Sequence, residues 1–165
     1  MLQPAIAILD SQRTMAISTL RADGWPQTTI VGYANEGWTV YFLILRSSQK
    51  FHNIQRDRRI SFAVSDNATN LREHQAVYAS AQAFEVADQR GRKHGWRLLA
   101  DRHPNLKDFE MPDPAVTAMM RAVCEHVSVL DNRIALGHVE ALTVQDDGTV
   151  VAEPPRNDLW SPMLA

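Results

Sequence analysis

Apolar and polar residues alternate through much of the first half of the chain. Met15, Ile17 and Thr19, set against Ala16, Ser18 and Leu20, predict a strand over Thr14 to Arg21. The turn chemistry of Ala22-Asp23-Gly24-Trp25-Pro26 follows it. The β-formers Thr28, Thr29, Ile30 and Val31 then predict a second strand over Gln27 to Tyr33. Asn35-Glu36-Gly37 reads as another hairpin turn and Trp38 to Leu45 as a third strand, so the three make an antiparallel meander. Arg59 to Ser65 and Gln75 to Val86 keep the same alternation and predict strands four and five. Glu125 to Asp131 and Ile134 to Gln145 predict strands six and seven, with Asp146-Asp147-Gly148 ending the last.

Helical spacing interrupts this pattern in four places. Pro4 to Leu9 opens with a proline suited to a helix start. Ser48 to about Arg58 places Phe51 and Ile54 on one face, and Asp88 to Arg102 does the same with Trp96, Leu98 and Leu99 despite Gly91 and Gly95. Ala115 to Val123 offers Val116, Met119 and Met120 at helical spacing. Asn67 to Glu73 reads as a polar loop. His103 to Pro114, with its three prolines, Phe109 and Met111, reads as a long irregular segment that binds or covers something. The tail from Pro154 to Ala165 reads as extended, with Trp160 as an aromatic anchor. Together these elements predict one mostly-β domain over residues 1–165. It is a small antiparallel barrel of six or seven strands decorated by helices, with a core over about 12–146 and a tail over 147–165.

Composition narrows the function. The 165 residues are 45% apolar and 22% charged, enough for a real core. A net charge of −2 argues against a nucleic-acid partner, which needs a basic face, and gives no pull towards anionic membranes. No apolar run approaches the ~20 residues that cross a bilayer, and Met1 to Asp10 lacks the basic start of a signal sequence. Cys124 is the single cysteine, so no intrachain disulfide forms, and a cytoplasmic location is the expectation. His52, His74, His94, His103, His126 and His138 lack metal-ligand spacing, so no metal site is expected, although His126 and His138 fall on neighbouring predicted strands. No Gly-x-Ser-x-Gly elbow marks a serine nucleophile, and Asp66, Glu73 and Glu85 show no pairing.

The stretch from Val40 to Ile54 carries the one arrangement with evident chemistry. A buried-strand composition over Val40 to Leu45 runs straight into a helix for which Ser47 or Ser48 is the natural N-cap. The start of a helix presents backbone N–H groups and the positive end of the dipole to an anion. Arg46 and Lys50 flank that point, and the serines add hydroxyl donors. By spacing alone a capped surface helix is the commoner outcome. Within this run of strands the stretch reads as a phosphate cradle.

The residues also carry a family resemblance. Met15-Ala16-Ile17-Ser18-Thr19-Leu20 leads to Asp23-Gly24-Trp25-Pro26-Gln27-Thr28-Thr29. Tyr41-Phe42 then leads to Arg46-Ser47-Ser48-Gln49-Lys50, Asn53-Ile54 and Arg58-Arg59-Ile60-Ser61. This order resembles the pyridoxamine 5′-phosphate oxidase-like family of FMN-binding split β-barrels, closely over residues 14–65 and loosely over 75–145. The resemblance implies an FMN-dependent oxidoreductase, homodimeric with the flavin at the subunit interface and acting on a small-molecule substrate. It implies cofactor contacts from Thr28, Thr29, Ile30 and Val31 along the isoalloxazine ring. It places Arg46, Ser48 and Lys50 at the phosphate, implies further cofactor contacts from Ile44, Leu45, Ser47 and Gln49, and lets Gln75, beside His74, reach the partner's flavin. It names no catalytic residue.

The sequence departs from the family pattern at several points. Ile44 stands where many members carry Thr or Ser, Gln49 replaces a frequent Arg, and Ala81 replaces a common Gly. No Trp and Arg arrangement at the C-terminus matches the one that recognises pyridoxine phosphates, although Arg156 and Trp160 stand nearby. A non-catalytic flavin-binding or stress-response protein, and a split barrel holding haem or a deazaflavin, stay open as alternatives.

Overall fold

The computed structural model describes residues 2–154, so Trp160 and the tail beyond Pro154 lie outside the described residues. Helix α1 (Leu2–Ser11) precedes strands β1 (Thr14–Leu20), β2 (Pro26–Glu36) and β3 (Thr39–Leu45). Helix α2 (Gln49–Arg56) then leads into β4 (Arg59–Ser65) and β5 (Gln75–Glu85). Helix α3 (Gln89–Arg102) is followed by β6 (Thr117–Asp131), β7 (Val139–Val144) and β8 (Val150–Ala152). The meander turns at Gly24 and Gly37, whose φ values of 84° and 58° lie in the left-handed region that glycine adopts without strain.

The sheet runs β3-β2-β1-β4-β5-β6, and β6 pairs back onto β3, closing six antiparallel strands into a barrel. β7 and β8 extend the sheet from the far half of β6. The expected antiparallel split barrel is therefore present, with an eighth strand that the polar sequence around Asp147 concealed. Met15, Ile17, Val40, Phe42, Val64 and Val77 fill the interior together with residues of α1 and α2. Tyr33 is fully buried, and its hydroxyl donates to Leu9 O at 2.7 Å, tying α1 to the barrel.

The helix predicted over Ala115 to Val123 is instead the first part of β6. Thr117 to Met120 are all buried, because one face of the strand fills the barrel while Met119 on the other packs under α3. Burial on both faces erases the two-residue period and leaves Val116, Met119 and Met120 at a spacing that imitates a helix. A bulge at Glu125, between the Ala81–Cys124 and Ser80–His126 pairs, then reverses which residues point inward. β7 starts at Val139 rather than Ile134, and His138 precedes it, so His126 faces Thr143 instead. The predicted loop before β5 contains one 3-10 turn, Leu71–Glu73.

Helix α3 lies on the outside, with Leu99 and Trp96 against Ala34, Tyr41, Leu43 and Met119. Gly95 permits that approach: a Cβ there would sit 2.8 Å from Met119 Sδ and 3.2 Å from Tyr41 Cδ1. Helix propensity alone favours alanine by about 1 kcal/mol, but overpacking costs about 1–3 kcal/mol. Gly95→Ala is expected to lower the urea midpoint, and a raised midpoint would contradict this packing.

Candidate functional site

β2 and β3 pair only from Glu36–Thr39 to Tyr33–Phe42. Continued register would set Leu43 opposite Gly32 and Leu45 opposite Ile30, but those pairs are not made. The two strands part there, β2 staying with β1 from Pro26 to Gly32 and β3 staying with β6 as far as Leu45. Tyr33 N–H donates to Arg13 O, so by alternation the N–H and C=O groups of Thr28 and Ile30 point to the side β3 has left. Ile30 is 67% exposed and Leu45 53%, two apolar side chains on either lip of the opening. Val116, 55% exposed, stands beside Leu45, and its carbonyl accepts the Arg46 N–H.

The parted end of β3 leads into the charged turn. Ser48 caps α2, its hydroxyl accepting from Phe51 N–H and donating to Leu45 O at 2.7 Å. Gln49 and Lys50 N–H precede the first bonds within the helix and carry the positive end of its dipole. The Arg46 guanidinium donates to Pro114 O at 2.7 Å, forms an ion pair with Glu85 and lies over the Phe51 ring. Its charge is thus balanced within the fold. Lys50 has no hydrogen bond or ion pair among the described residues, and neither does the Ser47 hydroxyl. The Lys50 ammonium is thus an unbalanced cation at the turn.

A family model described as pyridoxamine 5′-phosphate oxidase matches residues 3–130. The chain belongs to that family. No curated protein matches it in sequence. Its fold is similar to that of a conserved hypothetical protein from Mycobacterium tuberculosis, at 24% identity and a TM-score of 0.71 over 84% of this chain and 90% of that one. It is also similar to an FAD-binding protein from Mesorhizobium loti, at 20% identity and a TM-score of 0.63 over 78% and 93%. A haem-binding protein from Mycobacterium smegmatis matches at 16% identity and a TM-score of 0.68 over 84% of this chain and 56% of that one.

In this family member the candidate residues divide by side-chain direction. Thr28, Ile30, Leu45, Arg46, Ser47, Ser48 and Lys50 lie along the opening or at the turn. Val31 and Ile44 point into the barrel, and Thr29 alternates to the same side, its hydroxyl buried without a partner. The backbone groups of Thr29 and Val31 face β1 and those of Ile44 face β6, so these three offer nothing to a ligand in the opening. The Gln49 amide donates to Asn53 Oδ1 at 2.9 Å and so turns away from the cradle. Asn53, fully buried, donates in turn to Thr19 Oγ1 and Gln27 Oε1, fixing α2 against β1 and the start of β2.

Gln75 stands at the other end of β5 from Glu85, ten residues and about 33 Å away along the strand. Its amide donates to Asp131 and its N–H to Asp66, which also holds His74. It takes no part in its own chain's cradle. Glu85 is the site residue that sequence reading missed, because its partner Arg46 is 39 positions away. Cys124 lies inside the barrel, where burial pushes its thiol up to about 12, so it supplies no nucleophile here. Among the described residues no three His, Cys, Asp or Glu side chains gather as a metal site, and no helix is long and apolar enough to cross a membrane.

The two serines differ in what they hold: Ser48 caps the helix, and the Ser47 hydroxyl has no partner among the described residues. Ser48→Ala is expected to lower stability by about 1 kcal/mol through loss of the cap. Ser47→Ala, which removes no internal contact, should leave the denaturation midpoint unchanged; equal losses in both would contradict this division.

Proposed function

We propose that this chain is an FMN-binding oxidoreductase that holds the flavin phosphate at the Arg46–Lys50 turn and the ring over the opening between β2 and β3. The observation that carries the reading is Lys50, an unbalanced cation beside free helix-start N–H groups, at the end of a cleft with exposed apolar lips. The donor set fits the cofactor. The turn offers charge and N–H groups to a phosphate. The free edge of β2 offers alternating donors and acceptors to the polar rim of the ring, and Ile30 and Leu45 offer it apolar surface. The flavin would supply the redox chemistry. The chain's own residues bind it, orient it and keep water from one of its faces. That a neighbour of this fold is an FAD-binding protein agrees with this reading.

The reading includes a cytoplasmic homodimer and a small-molecule substrate. A shallow groove of about 610 Å³ crosses β1, β4, β5 and β6 over Ala16, Ser18, Ser61, Ala63 and Ser80, small side chains that let a second copy approach. Gln75, remote from its own cradle, is left to meet a partner's flavin.

Haem is the second reading. His126, 62% exposed on its side chain, lines the same groove, with Nδ1 3.4 Å from Glu153. That leaves Nε2 for an iron, and a haem-binding protein shares the fold. A Soret band that disappears in His126→Ala would favour it.

Lys50→Ala separates a phosphate site from a merely capped helix. Loss of one charge-assisted contact should weaken FMN by about 1.5–3 kcal/mol, roughly a 10- to 150-fold rise in Kd. Riboflavin, which has no phosphate, should bind both proteins equally in a fluorescence titration. An unchanged FMN affinity would remove the cradle from the account.

A further inference from the structure

At the vertex where β2 and β3 part, a second cavity of about 530 Å³ opens between the barrel and the segment after α3. That volume is ordinary for a small-molecule site. Gly32 forms part of its wall, with Trp96 and Leu106 as apolar surface and Phe109, 65% exposed, at its side. Gly32 keeps this corner open: a Cβ there would lie 3.2 Å from His103 Cε1. The cavity lies on the same outer face of β2 as Ile30, two residues along the strand.

Its polar side chains are His103, Asn105 and Glu110. His103 lies 3.0 Å through Nε2 from Tyr33 O, a carbonyl that can only accept. Nε2 therefore donates to it. Glu110 adds a carboxylate that has no ion pair among the described residues. No lysine or arginine lines the cavity. Two aromatic side chains suit a flat ring, and the Glu110 carboxylate disfavours an anion.

We propose that this cavity binds the substrate, and that it selects flat aromatic molecules that are neutral or positively charged over anionic ones. Its assignment to the substrate rests on the flavin reading, because only a ring over the opening puts a redox centre beside it. The ligand preference rests on the cavity alone.

Benzamidine and benzoate, alike in shape and opposite in charge, test the preference on the full-length protein, with tryptophan fluorescence as the readout and FMN affinity measured in parallel. Benzamidine should bind about fivefold more tightly than benzoate, the worth of one partly exposed charge contact. Glu110→Gln should bring the ratio close to one. Phe109→Ala, at an exposed position that leaves the core intact, should weaken benzamidine about two- to tenfold. Equal binding of the two probes, no binding of either, or a ratio unchanged in Glu110→Gln would overturn the proposal. A charge preference in a protein that fails to bind FMN would retain the cavity's selectivity and remove the flavin reading. Tight FMN binding with no charge preference would do the reverse.

Discussion

Antiparallel strands closed into a barrel satisfy their backbone groups only where each ladder runs the full length of the strands that share it. Between β2 and β3 it does not. All seven residues of β3 pair with β6, and the first seven of β2 pair with β1, so each strand follows a different neighbour once their four shared pairs end. The site follows from that parting. It frees the N–H and C=O groups of Thr28 and Ile30, exposes Ile30 and Leu45, and sets the Arg46–Lys50 turn at one end and an apolar cavity at the vertex. Phe51 and Ile54 of α2 stay buried near the open end, and Asn53 satisfies the Thr19 and Gln27 side chains there. The opening is thereby kept from becoming a defect in the core.

Charge divides the turn into a half paired within the fold and a half left unpaired. Arg46 is held by Glu85, by the Pro114 carbonyl and by the Phe51 ring, and its own N–H fastens the start of β6. Those contacts join β3, β5 and the segment before β6, so Arg46 does for the fold what its position in sequence suggests for a ligand. Lys50 carries no such duty. A flexible ammonium with no internal partner, next to helix-start N–H groups, gains more from an arriving phosphate than a guanidinium already paired with a carboxylate.

The strands of the meander and the capped turn were legible because their signals are local: alternation, Asp-Gly chemistry, and a serine ahead of an amphipathic run. The family resemblance read from Asp23-Gly24, Arg46 to Lys50 and Asn53-Ile54 agrees with the family match. What was not legible depends on contacts between distant residues. Thr117 to Met120 lost their two-residue period because α3 covers the outer face, and the bulge at Glu125 reversed the pattern within one strand. Glu85 could not be paired with Arg46, and the cavity at Gly32 could not be foreseen, before the closed barrel set β3 and β5 on the two sides of β6 and α3 against β2. Even inside the candidate site, four consecutive residues from Thr28 to Val31 could not all face a ligand. A strand turns every second side chain away.

If the parted strands and the turn hold a flavin through its phosphate, the purified protein should take up FMN and keep it. The visible spectrum before and after loading with FMN and desalting should show flavin bands that persist through desalting, with the cofactor released on denaturation identified as FMN. No retained chromophore after loading would contradict it, and a Soret band in its place would move the chemistry to His126 and the outer groove.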